Sequence, residues 1–233
     1  MNNASFNTRN GVRPRHHRRS PWISRIAATA AVALSVSAGA QMPSAPLLQN
    51  AWATSGTVGA VELGGGTDGT AYAGAVSFGA SRFQFSGGLA YQTRTGLGSR
   101  TGYGIRGAML FGGASSAFGF GAFAGIGGGN TSNSGPDSLA STTQIPLGAA
   151  LGWRKAFGGT HGVSIYADPA YVLYSGGSES GGLFRVGLGA DFGITSSLGA
   201  TVGAELGATR ARGLGGPSGV LYGAGVSYAF GRR

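Results

Sequence analysis

The chain has 233 residues, no cysteine, 48 glycines, and 17 Lys+Arg against 7 Asp+Glu. Without cysteine there is no disulfide framework, and the glycines, far above the average usage of about 7%, do not follow the every-third-residue rule of collagen. The basic excess is no nucleic-acid footprint: Arg9, Arg13, Arg15, Arg18, Arg19 and Arg25 crowd the start, and beyond residue 40 eleven Lys+Arg face all seven acids, a mild and scattered net of +4.

The basic start leads into the apolar run Ile26 to Leu34 and a small-x-small ending at Ala38-Gly39-Ala40. That order predicts a secretory signal peptide over residues 1–40, cleaved after Ala40, with Ala38 and Ala40 as the cleavage determinants. A membrane anchor is the alternative, but the run is shorter than the roughly 20 residues a spanning helix needs. Arg18-Arg19 also admits a twin-arginine reading, a route for folded cargo that does not suit the rest of the chain. Residues 41–55 carry Pro43 and Pro46 without alternation and read as a flexible lead-in.

From residue 56 the sequence reads as strands with a period of two. The first, Gly56–Leu63, runs to the turn-like Gly64 to Gly69. Tyr72, Val76 and Phe78 share one face of the second, with a tight turn near Gly79-Ala80-Ser81. Phe83, Phe85, Leu89 and Tyr91 alternate with Arg82, Gln84, Ser86 and Gln92 on the third. After a polar connection, Thr93 to Thr101, come Tyr103, Ile105, Met109 and Phe111 with Arg106 opposite, then Phe118, Phe120, Ala122, Ala124 and Ile126. Gly127 to Ser141 is read as the longest connection, a surface loop.

Ile145, Leu147, Ala149, Leu151 and Trp153 follow, opposite Gln144 and Arg154. On the next strand Val163, Ile165, Ala167, Tyr171 and Leu173 oppose Ser164, Tyr166, Asp168 and Tyr174. Pro169 lacks an N–H for the ladder and predicts a bulge. Phe184, Val186, Leu188, Ala190, Phe192 and Ile194 then oppose Arg185 and Asp191, and Leu198, Val202, Ala204 and Leu206 oppose Thr201 and Glu205. In the last strand Val220, Tyr222, Ala224, Val226, Tyr228 and Phe230 oppose Gly223, Gly225, Ser227 and Ala229.

One phase puts Arg82, Arg106, Arg154, Asp168, Arg185, Asp191 and Glu205 on the small-residue face and the aromatics on the other. A charge on the lipid side at mid-membrane costs about 2–4 kcal/mol, and an open sheet edge in hydrocarbon leaves backbone groups unsatisfied. The fold class expected is therefore all-β: a closed antiparallel transmembrane β-barrel over 56–230, about ten strands with eight as the alternative, and a tail at 231–233. Strand lengths near ten residues suit a tilted crossing. Connections are expected to alternate, short on the periplasmic side with both termini and long outside. A soluble glycine-rich sandwich is the alternative fold.

The segment Gly225-Val226-Ser227-Tyr228-Ala229-Phe230 resembles the C-terminal β-signal of bacterial outer-membrane proteins, with Gly225, Tyr228 and Phe230 in the signal positions. The chain departs from that pattern in continuing to Gly231-Arg232-Arg233 and in carrying Gly223 before the signal. It is similar to the small outer-membrane barrel group, OmpA/OmpX-like or porin-like. The resemblance implies the cell outer membrane of Gram-negative bacteria as location, with outer-membrane lipid as surroundings and the barrel-assembly machinery and periplasmic chaperones as partners during biogenesis.

Function is less legible. No cofactor is implied, and no metal cluster, phosphate loop or nucleic-acid surface is read from the residues. The single histidine beyond residue 40, His161, falls in a predicted periplasmic turn. A nucleophile–base arrangement would require Ser164 or Asp168 to reach it, so a membrane-embedded hydrolase is the least favoured reading and the chain is expected not to be an enzyme. The first reading is a structural or surface-interaction barrel with its lumen closed by ion pairs. The alternative is a narrow passive channel for small solutes. Small barrels of about eight strands are filled by their own side chains, and ten lies nearer that end than the 16–18 of porins.

Overall fold

The computed structural model describes residues 56–66, 69–94, 98–112, 116–131, 142–158, 161–176, 179–207 and 220–230. These form ten antiparallel strands: β1 (Gly56–Gly66), β2 (Gly69–Ala80), β3 (Phe83–Arg94), β4 (Gly98–Leu110), β5 (Phe118–Thr131), β6 (Thr142–Gly158), β7 (His161–Gly176), β8 (Glu179–Gly193), β9 (Leu198–Gly207) and β10 (Val220–Phe230). Each strand pairs with its sequence neighbours, and β1 pairs with β10, so the sheet closes into a barrel. The closing seam runs from Thr57 opposite Phe230 to Gly65 opposite Tyr222. Closure leaves no edge strand, and it excludes the sandwich alternative. The predicted signal peptide with its cleavage residues, the lead-in and the tail lie outside the described residues.

The dyad sets the two faces. Val61, Phe85, Leu89, Ile105, Phe120, Ile165, Phe184 and Tyr222 are exposed outside, while Ser77, Gln84, Gln92, Gln144, Thr201 and Ser227 are buried inside. A one-residue slip would exchange these sets, so the pattern pins the register. Tyr72, paired with Tyr91, lies toward the end opposite the termini with Tyr103, Tyr171 and Tyr222. Toward the terminal end stand Phe78, Phe83, Phe118 and Phe230, with Tyr228 edge-on to Phe230 at 5.1 Å. A shallow apolar groove of about 650 Å³ lies outside, between Val76, Phe85, Ile105 and Ile126, where Gly87 and Gly107 present no side chain.

Several expectations are corrected. The strands outrun a ten-residue crossing, up to the 17 residues of β6, because a polar hairpin keeps its ladder bonds beyond the apolar band. The anticipated polar connections therefore shrink: Thr93, Arg94 and Gly98–Thr101 belong to β3 and β4, and of Gly176 to Gly182, which reads from sequence as a polar loop, Gly176 ends β7 and Glu179 begins β8. Connections do not simply alternate short and long, and Gly127–Thr131 belong to β5. The interval from Gly207 to Val220, and not that from Thr131 to Thr142, is the longest between strands.

Pro169 makes no bulge. Its missing N–H interrupts the β6–β7 pairing between Gly148–Ala170 and Leu151–Ala167, yet the register is unchanged on either side. The shift in that pair of strands comes at Ala156/Gly158, next to the turn, and Pro169 stays opposite Val186 on β8.

Candidate functional site

The chemistry-bearing side chains converge in the barrel interior, which divides into two sectors. Along the β4–β8 wall an apolar cluster forms from Ala108, Leu110, Phe123, Ala150, Ala170, Val172 and Leu183, with Tyr174 packed against it. Glycines on the wall make room for its large members. At Gly148 a Cβ would run into the ring of Phe123, and at Gly189 into that of Tyr166. The high glycine content thus has a packing reason: a few bulky side chains lie flat across bare backbone of the neighbouring strand.

The other sector is polar and centres on β1 and β7–β10. The ladder places Glu62 opposite Gly225, Gly225 opposite Thr201, Thr201 opposite Asp191, Asp191 opposite Ser164, and Ser164 opposite Arg154. These six form one continuous inward row. Within it Thr201 Oγ1 donates to Asp191 Oδ1 at 2.7 Å and Ser164 Oγ to Asp191 Oδ2 at 3.4 Å. Glu62 leans across Gly225, where a Cβ would stand 2.9 Å from Glu62 Cγ.

A second row carries Asp168 opposite Gly187 and Gly187 opposite Glu205. Arg185, diagonal to Glu205, closes an ion pair of 3.1 Å between Nη1 and Oε1. Arg106 comes from β4 on the opposite wall. Its guanidinium stacks over Phe123 at 3.7 Å from the ring centroid, and it attracts Asp168 across the lumen. Phe123 is therefore the meeting point of the two sectors.

Of the seven predicted lumen charges, Arg106, Asp168, Arg185, Asp191 and Glu205 are buried inside. Arg154 is half-buried near the terminal end, its Nε donating to the Ser116 carbonyl at 2.9 Å. Arg82 is a correction. Ala80 pairs with Phe83, so Ser81, with a positive φ of 58°, and Arg82 form the turn, and Arg82 is exposed. The predicted turn lay one residue too early.

Two interior residues were not singled out from sequence. Glu62 lies on β1, whose glycines at 64–66 blur the alternation, but Val61 and Leu63 flanking an acid were a legible cue. Phe123 is a lone aromatic at small-residue parity between Ala122 and Ala124. The signal-like residues Gly225, Tyr228 and Phe230 all lie on β10, with Gly225 inward and the aromatics outward. His161 is exposed as the first residue of β7, on the face opposite that of buried Ser164 and Asp168, so the strand does not bring these three together. Among the described residues no cluster of three or more acidic, histidine or cysteine side chains suits a metal ion.

Neither a family model nor a curated protein matches the sequence. Among solved structures the barrel is similar to a bacterial polysaccharide outer membrane secretin, with a TM-score of 0.46 and 10% identity over 70% of this chain and 57% of that one. It is also similar to the beta domain of the Bordetella autotransporter Brka, with a TM-score of 0.45 and 16% identity over 75% of this chain and 98% of that one. The chain thus spans a little over half the length of the secretin chain. The class defined by fold and site is a closed ten-strand antiparallel β-barrel, apolar outside and charged within.

Proposed function

We propose that this chain is an integral β-barrel of the bacterial outer membrane, exported by a cleaved signal peptide and serving a structural or surface-interaction role. The observation that carries the reading is the inversion of the barrel's two faces. Phe85, Leu89, Ile105 and Phe120 are each more than half exposed outside, while Glu62, Arg106, Asp168 and Asp191 are buried inside. In water such an exterior would drive aggregation, whereas in hydrocarbon it needs no cover and the closed ladder satisfies the backbone. Phe123, Tyr166 and the apolar cluster occupy part of the interior, which favours a structural role over wide passage. Interaction at the surface then falls to the connections at the end opposite the termini, chiefly those between β5 and β6 and between β9 and β10.

The experiment is refolding of the purified protein with and without lipid vesicles. The reading expects a compact, protease-resistant species that migrates anomalously in gels until boiled, formed only with lipid or detergent. A monodisperse soluble species without either would contradict it.

A second reading, a narrow passive channel, is favoured by one observation. Both carboxylate oxygens of Glu62 and of Asp168 lack hydrogen-bond partners among the described residues although both side chains are buried, which suits a hydrated interior better than a fully ion-paired plug.

A further inference from the structure

We propose that the polar sector of the lumen takes up small hard monovalent cations and gives the barrel a cation-preferring leak, impassable to larger solutes. The inference rests on the membrane-barrel reading and adds the chemical class of what enters the interior.

Charge accounting points this way. Among the described residues the acids Glu62, Asp168, Asp191 and Glu205 are buried in the lumen together with the bases Arg106 and Arg185. Arg185 is matched by Glu205 at 3.1 Å. Glu62 and Asp168 then face Arg106 as the remaining buried base among the described residues.

Geometry gives the excess acids their character as ligands. Glu62 is 5% exposed and Asp168 3%, and none of their four carboxylate oxygens has a hydrogen-bond partner among the described residues. An isolated buried carboxylate is costly unless something compensates it, and an all-oxygen environment suits hard cations. The row around Gly225 supplies more oxygen: Asp191 with the Thr201 and Ser164 hydroxyls lies on the side to which Glu62 leans. No described cluster is dense enough for a dedicated metal cage, as expected for a path with weak, exchangeable sites. Phe123 and Leu110 belong to the apolar cluster of the facing sector and narrow the space left for a path.

The test is planar-bilayer recording of the detergent-purified protein in a KCl gradient, with heat-modifiable gel migration confirming insertion. The expected K⁺/Cl⁻ permeability ratio is several-fold above one. Glu62→Gln and Asp168→Asn should each lower it toward one, and Arg106→Gln should raise it. Opposite directions guard against a general loss of folding, and each variant is scored only on heat-modifiable protein. An inserted barrel with no conductance, with chloride preference, or with a ratio that none of the three variants moves overturns the proposal while leaving the membrane reading standing. A protein that stays soluble and does not insert overturns both.

Discussion

Glu62 on β1 lies across Gly225 on β10: a Cβ at Gly225 would stand 2.9 Å from Glu62 Cγ and 2.8 Å from the Val61 carbonyl oxygen. The contact spans the seam at which the first and last strands close the barrel. Gly225→Ala should therefore destabilise the folded barrel by about 1–3 kcal/mol through overpacking. Urea unfolding followed by gel shift would measure this. In a Glu62→Ala background the penalty should shrink without vanishing, because the Val61 carbonyl remains; equal penalties in the two backgrounds would deny the contact.

Arg185 and Glu205 make a buried pair, and removing one partner strands the other. Arg185→Met alone should cost up to about 3–5 kcal/mol, less if water reaches Glu205, whereas Arg185→Met with Glu205→Leu should recover much of that loss. Unfolding midpoints of the single and double variants decide. A double variant as unstable as Arg185→Met would show that the pair does not act as a unit.

Phe123 fills the lumen over Gly148 and carries Arg106 on its ring. Phe123→Ala should lower stability by about 3–5 kcal/mol by leaving a cavity. In vesicles it should also admit small sugars that the parent barrel excludes, read as osmotic swelling. Exclusion unchanged in a folded variant would place the constriction elsewhere.

Much of the fold was legible because one signal, the dyad, was carried by almost every strand. From Phe83 to Phe230 the outward residues are those the alternation assigns, and one consistent phase placed Arg106, Asp168, Arg185, Asp191 and Glu205 inside. What escaped was local. Arg82 was displaced because a two-residue turn at Ser81-Arg82 and a strand beginning one residue earlier fit the same period. Pro169 suggested a bulge because a missing N–H has two remedies, a shifted register or a locally open ladder, and sequence does not distinguish them. The partnership of Arg106 with Asp168 across the lumen joins strands that are not neighbours and depends on how the barrel closes. Periodicity along one strand carries no record of it.

The outward face offers a discriminating substitution. Ile105 is 63% exposed midway along β4. If it faces hydrocarbon, Ile105→Arg should cost about 2–4 kcal/mol; in water an exposed apolar-to-charged change stays within about 0.5 kcal/mol. Refolding yield and unfolding midpoint in vesicles report the difference.

The central claim, a closed barrel residing in the outer membrane, is tested most directly by fractionating expressing cells and running the outer-membrane fraction on gels with and without boiling. The account predicts that the protein is recovered in that fraction and migrates faster unboiled than boiled. Recovery in the soluble fraction with no heat-dependent shift would contradict it.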